Sequence, residues 1–295
     1  MTTTTPARLQ ILAAAILFST GGAAIKLCSF SSWQIASFRS GIAAALLWLV
    51  LPASRRFLHP KAIGVGAAYA LCLTLFVAAN KATTALNTIF LQSTAPLYIL
   101  LLAPWLLREP IRRRDLVFMA ILGLGMATLL LGGERPRVTA PNPPLGNLLA
   151  AASGVFWALT VVGLRSVGKA DPGGSSPTAA AAVLAGNLLA FVFCLPWALP
   201  VSGGQTADWL AILYLGVFQI GLAYVFLTAA IRKVPALEAA LLLLLEPVLN
   251  PLWAWLLQGE TPSAWSMLGG AIILAGVVIM ASFGDSNRNS RTGCH

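Results

Sequence analysis

The chain has 295 residues, of which 58% are apolar and only 9% charged, with a mean hydropathy of +0.83. A soluble domain carries roughly 25% charged residues, so this chain cannot cover a water-facing surface and its solvent must be largely lipid. The net charge of +10 does not point to nucleic acid, because the basic residues sit in short segments between apolar runs rather than on an aromatic-interleaved face.

A helical span needs about 20 apolar residues to cross a core of about 30 Å. Runs of that length fall near 9–27, 33–51, 61–80, 86–107, 115–132, 145–164, 177–199, 208–231, 236–257 and 263–283. Ten spans are therefore expected. Arg8 precedes the first run without a small-residue cleavage site, which predicts a first span rather than a removed signal peptide. Arg39 sits within the second run, where it either snorkels to the interface or offers a fixed cation in a cavity. Lys81 ends the third run as an interfacial anchor or a ligand. Trp157, near the middle of the sixth run, lies between Ser153 and Thr160 and either packs on a neighbouring helix or walls a cargo cavity. Tyr98, Asn187, Gln219 and Tyr224 present the same choice, because interhelical hydrogen bonds use the same residue types.

The ninth run carries Glu246, the only acidic residue at the centre of a run. A carboxylate at mid-bilayer costs about 2.5 kcal/mol or more, which makes it a functional candidate by default; the alternative is a protonated carboxyl bonded between helices as structural glue. Asn250 and Trp253 follow on the same helical face. Pro247 and Pro251 each remove an amide donor and predict a kink or break there. Small residues such as Gly123 and Gly269 predict close packing of the fifth and tenth runs.

Loop charges give an orientation. With the N-terminus inside, the inner segments hold fourteen basic residues, among them Arg55, Arg56, Lys61, Arg108, Arg112, Arg113, Arg114, Arg232 and Lys233. The outer segments hold four: Lys26, Lys81, Arg135 and Arg137. Both termini are expected in the cytoplasm. Eight of the nine tryptophans fall toward run ends, at headgroup level.

The longest polar interruption, 132–146, divides the chain into halves of five runs, 1–137 and 138–295. A shift of 151 residues aligns Pro96 with Pro247, Glu109 with Glu260 and Lys81 with Arg232. An odd number of runs per half makes the second half enter the membrane from the opposite side, an arrangement recurrent in secondary transporters with a site near the midplane.

The stretch 239–276, with Glu246-Pro247, Gly259-Glu260 and a small-residue run ending at Gly276, resembles the C-terminal half-repeat of EamA-type members of the drug/metabolite transporter superfamily. The first half repeats the pattern more loosely through Ala95-Pro96, Arg108-Glu109 and Gly123-Leu124-Gly125. The resemblance covers nearly the whole chain. It implies an all-α membrane fold of ten helices in two inverted five-helix repeats, exporting small metabolites from the cytoplasm across a bacterial-type inner membrane. Within the family, the chain is most similar to the YddG-type exporters of aromatic and other neutral amino acids. Ala95 stands where the second half has Glu246, so the halves are not equivalent at the site.

Other classes fit less well. GLRSVGKA (163–170) misses the phosphate-binding loop at Ala170, where a hydroxyl is needed, and follows a membrane run rather than a strand. A metalloprotease would need His-Glu-x-x-His, but the two histidines, His59 and His295, stand alone. A channel would show a filter segment, and none is visible. Four cysteines without metal spacing are expected as free thiols. The expected protein is thus a monomeric, non-enzymatic carrier without metal or cofactor. Its partners are the bilayer and a small amphiphile, and its substrate contacts are drawn from Arg39, Lys81, Tyr98, Trp157, Asn187, Gln219, Tyr224, Glu246 and Asn250.

Overall fold

A computed structural model describes residues 4–106, 113–132, 135–170, 177–201, 203–230, 234 and 242–289. Among them every named element is helical, and the only extended pairing is an isolated bridge between Arg137 and Ala140. Helices suit a lipid solvent because each satisfies its own backbone polar groups. The first run forms α1 (Thr4–Ser19) and α2 (Gly21–Leu27), and the second forms α3 (Ser32–Val50). Ser31 opens α3 with a capping box: its hydroxyl accepts from the Gln34 amide, and the Gln34 side chain accepts from the Ser31 amide. A 3-10 turn (Pro52–Arg56) leads to α4 (Pro60–Ala82), which starts on a proline suited to a first helical turn. Thr84 then caps α5 (Ala85–Gln92), and α6 spans Ala95–Leu106. Next come α7 (Arg113–Leu131), α8 (Pro143–Ala170) and α9 (Pro177–Ala198). The eighth run forms α10 (Thr206–Tyr214), a π-helical segment (Leu215–Leu222) and α11 (Ala223–Ala230). Last are α12 (Leu245–Gln258) and α13 (Ala264–Asn289).

Among the described residues seven stretches are long and apolar enough to cross a membrane, and they coincide with seven of the ten expected runs. In the fifth and tenth runs the apolar helices are shorter, Asp115–Leu131 and Ala264–Ile279. The ninth begins outside the described residues, as do Arg108, Glu109, Arg112, Arg232, Lys233 and Glu238. Apolar side chains such as Leu71, Val192, Trp48 and Trp209 are exposed on the outer surface, where a membrane rather than water would meet them.

Helix α4 packs on α8 and α9, α3 on α9, and α7 on α13. The last contact runs through Gly125 and Gly269: a Cβ on either would come within 3.1 Å of the other's carbonyl oxygen or closer. Gly123, expected at that seam, faces open space instead. The predicted break in the ninth run falls at Leu244, ahead of Glu246 and Pro247, while Pro251 is accommodated inside α12. The segment 163–170 is the end of α8, not a loop.

Candidate functional site

Four interruptions of the helices meet around one cavity of about 160 Å³. They are the break at Thr20, the turn at Ser93-Thr94, the π segment, and the start of α12. Two have visible causes in sequence, Ser-Thr-Gly-Gly at 19–22 and Ser-Thr-Ala-Pro at 93–96. Broken helices place unpaired backbone groups beside a cavity rather than in lipid, and π-helical turns concentrate at functional sites. Gly21 and Gly22 permit the convergence: a Cβ on Gly21 would lie 2.8 Å from the Gln219 amide nitrogen, and one on Gly22 2.8 Å from the Asn250 side-chain oxygen.

Arg39 supplies the positive charge. It does not snorkel; it is 1% exposed. Nη2 donates to the Leu73 carbonyl at 3.1 Å and Nη1 reaches Gln219 Oε1 at 3.4 Å, which also places Gln219. Its Nε is buried without a partner, while Nη1 and Nη2 each keep a second hydrogen to donate, and the side chain lines the cavity.

Glu246 lines the same cavity from the first turn of α12. Among the described residues it has neither a hydrogen-bond nor an ion-pair partner, and its electrostatic neighbours include Cys72 and Tyr224. The wall between the charges is aromatic. Tyr224 lies edge-on to Phe18 (5.3 Å between centroids) and to Tyr69 (5.7 Å), and Tyr69 lies 6.4 Å from Trp157.

The structure therefore brings Arg39, Trp157, Gln219, Tyr224 and Glu246 together, and leaves four expected residues away from the cavity lining. Lys81 donates to the Cys28 carbonyl at the far end of α4. Tyr98 contacts Met126 Sδ at 3.2 Å, and Asn187 bonds back to the Val183 carbonyl at 2.9 Å. Asn250 is buried one turn past Glu246, and neither of its polar side-chain atoms has a partner. Trp253, on the predicted face with Glu246, instead donates to Ser19 Oγ at 2.9 Å. Tyr69, Cys72, Gln92 and Ser93 line the cavity without having been expected to. The turn residues at 92–96 offered a signal for the last two; Tyr69 and Cys72 sit in an apolar run that offers none.

A second polar cluster closes one end of the bundle. Lys26 Nζ lies 3.4 Å from Glu260 Oε1, both side chains almost fully buried. Lys26 also donates to the Thr83 carbonyl at 2.8 Å and to that of Thr139. Glu260 Oε2 accepts from the Ala85 amide at 3.0 Å. Nearby, the Asp208 carboxylate accepts from the Ser29 amide and hydroxyl, both at 2.6 Å, and from the Gln205 amide at 2.8 Å. Among the described residues no group of three or more His, Cys, Asp or Glu side chains could hold a metal ion.

Interrupted apolar helices around a charged, aromatic cavity are those of a polytopic membrane protein. The EamA-like transporter family matches residues 5–131 and again 144–282, and the chain belongs to that family. An uncharacterized transporter of Methanothermobacter thermautotrophicus is 25% identical over 70% of this chain, and the uncharacterized transporter YetK of Bacillus subtilis is 25% identical over 72%. The chain spans 59% and 63% of those two proteins' lengths. An uncharacterized transporter of Archaeoglobus fulgidus is 26% identical over 86% of this chain and 89% of its own length. A solved crystal structure shares the fold, with a TM-score of 0.60 at 22% identity over 95% of this chain and 98% of that one.

Proposed function

We propose that this protein is a secondary exporter of small zwitterions, with neutral and aromatic amino acids as its cargo, working by alternating access between halves 1–137 and 138–295. The observation that carries the reading is the pair of cavity charges, Arg39 and Glu246, which do not bond to each other. A free amino acid has a matching charge for each. Its carboxylate meets the Arg39 fork, its ammonium meets Glu246, and an apolar or aromatic side chain lies on Trp157, Tyr69 and Tyr224. An apolar cavity of about 150 Å³ holds one benzene molecule, so this one, at about 160 Å³, has room for a side-chain ring.

Two observations favour an inverted duplication of ten helices. The family matches the chain twice, and the helix interruptions at Ser93 and Leu244 lie 151 residues apart, the shift that aligns Pro96 with Pro247. The excess of Lys and Arg on one set of loops supports cytoplasmic termini in a bacterial-type inner membrane. The direction of transport rests on the family resemblance.

The test uses proteoliposomes preloaded with one of three compounds: phenylalanine, phenethylamine, which lacks the carboxylate, and 3-phenylpropionate, which lacks the ammonium. Efflux of phenylalanine alone is expected, and Arg39→Gln and Glu246→Gln should each abolish it without lowering the melting temperature in detergent. Equal efflux of all three compounds would refute two-charge recognition.

A further inference from the structure

A second hollow, of about 610 Å³, lies on the outside of the bundle between α3 and α9 and belongs to no part of the cargo site. Small residues of α3, Gly41 and Ala45, form its floor, and Leu184 and Leu188 of α9 stand along its wall. The floor is low because Gly41 lies directly on Phe191, whose ring would be 2.9 Å from a Cβ there. Along α3 the lining runs from Phe38 to Trp48. At 1.5 Å per residue that is about 15 Å, half of a hydrocarbon core of about 30 Å. The hollow therefore has the length of one leaflet.

Its two ends differ. Near Phe38 it ends on the Trp209 ring, 5.4 Å away between centroids. At Trp48 it ends on positive charge. The Arg55 guanidinium carbon sits 5.1 Å above the Trp48 ring, and Arg55 Nε donates to the Trp48 carbonyl at 3.3 Å. These contacts leave both terminal nitrogens of Arg55 available. The 3-10 turn that presents it is pinned by Ser54, whose buried hydroxyl donates to the Leu47 and Leu51 carbonyls. Arg56 follows, exposed. Among the described residues neither arginine has an ion-pair partner.

We propose that this hollow is a binding site for an anionic phospholipid, with one acyl chain along Gly41 and Ala45 and the phosphate on Arg55 and Arg56. An apolar trough one leaflet long, charged at one end only, matches a lipid and not the doubly charged cargo of the central cavity. A phosphate can take the terminal nitrogens of Arg55 as a fork while the Trp48 ring lies at the depth an interfacial tryptophan prefers.

Native mass spectrometry of the purified protein, titrated with phosphatidylglycerol or phosphatidylcholine of identical chains, tests this. Wild type should prefer phosphatidylglycerol by about fivefold for each arginine on the phosphate, the equivalent of about 1 kcal/mol apiece. Arg55→Ala with Arg56→Ala should equalise the two lipids. Ala45→Phe, a change at an exposed position, should reduce occupancy by both while leaving the melting temperature unchanged. Equal binding of the two lipids by wild type would overturn the proposal. So would undiminished phosphatidylglycerol binding by Ala45→Phe, which would mean a loose annular lipid, or a dimer that excludes lipid from this face.

Discussion

Replacing Glu260 by Gln asks whether its pair with Lys26 holds one end of the bundle shut. At 3.4 Å the two charges attract by about 5 kcal/mol at an effective dielectric near 20. Part of that loss is offset, because a neutral amide costs less to keep out of water. The Gln oxygen can still accept from the Ala85 amide, with a bond weaker by about 1 kcal/mol for want of charge. Lys26 keeps the Thr83 and Thr139 carbonyls. A net cost of about 2 to 3 kcal/mol remains, equivalent to a factor of roughly 30 to 150 in an opening equilibrium. Cys28 reports on that opening: it is 1% exposed, and its own carbonyl is held by Lys81. With Cys72, Cys194 and Cys294 replaced by serine, alkylation of Cys28 by a bulky maleimide should accelerate by about that factor in Glu260→Gln. The double variant Lys26→Met with Glu260→Leu should return toward wild type, because well-packed apolar residues often replace a buried pair without loss. Wild-type labelling of the Gln variant would refute the latch. Fast labelling of both variants would show that the apolar pair does not replace the charged one, because the Ala85 amide and the Thr83 and Thr139 carbonyls then lose their partners.

Trp157→Ala should weaken phenylalanine efflux by about two- to tenfold, the value of an aromatic contact, and leave alanine efflux nearly unchanged; equal losses would mean that Trp157 only packs. Asp208→Ala should destabilise the protein by about 2 kcal/mol, because the Ser29 amide and hydroxyl and the Gln205 amide lose a charged acceptor; denaturant unfolding in detergent reads this, and an unchanged midpoint would contradict it. For orientation, cysteines placed at 203 or 261 should react with an impermeant thiol reagent from outside intact cells, and one at 113 should not. Reaction at 113 from outside would overturn the cytoplasmic placement of the termini.

Much of the central cavity was legible because charge is so rare in this chain that each intramembrane ionisable group stands out. Arg39 and Glu246 were found that way, whereas 9–27 and 86–107 were read as unbroken runs although Ser-Thr-Gly-Gly at 19–22 and Ser-Thr-Ala-Pro at 93–96 hold residues that favour a helix break. The π segment was invisible, since 215–222 reads as an ordinary apolar run; its effect appears only where Gln219 meets Arg39. Hydropathy misplaced Lys26, Glu260 and Asp208 as loop charges. They are near the ends of apolar runs, and only the tertiary fold folds those ends over one another and buries them. Lys81 and Tyr98 failed as cavity residues for a related reason. Position along a run gives depth but not which face turns inward, and Tyr98 turns toward Met126.

The two cavity charges come from different halves of the chain, and neither has a counterpart in the other half. The shift of 151 places Glu246 over Ala95 and Arg39 over Ala190, so the halves are matched in backbone but not in charge. In the two-half reading this asymmetry is useful. Had each half carried the same ion, the cavity would hold like charges and bind a zwitterion at only one end. With one charge each, the grip on a zwitterion depends on the distance between the halves, because each attraction falls with separation and with the entry of water. If the halves rock apart as proposed, Arg39 is drawn from Glu246 and solvent enters between them. On that proposal the motion that opens the cavity also loosens a zwitterion, and release needs no separate chemical step.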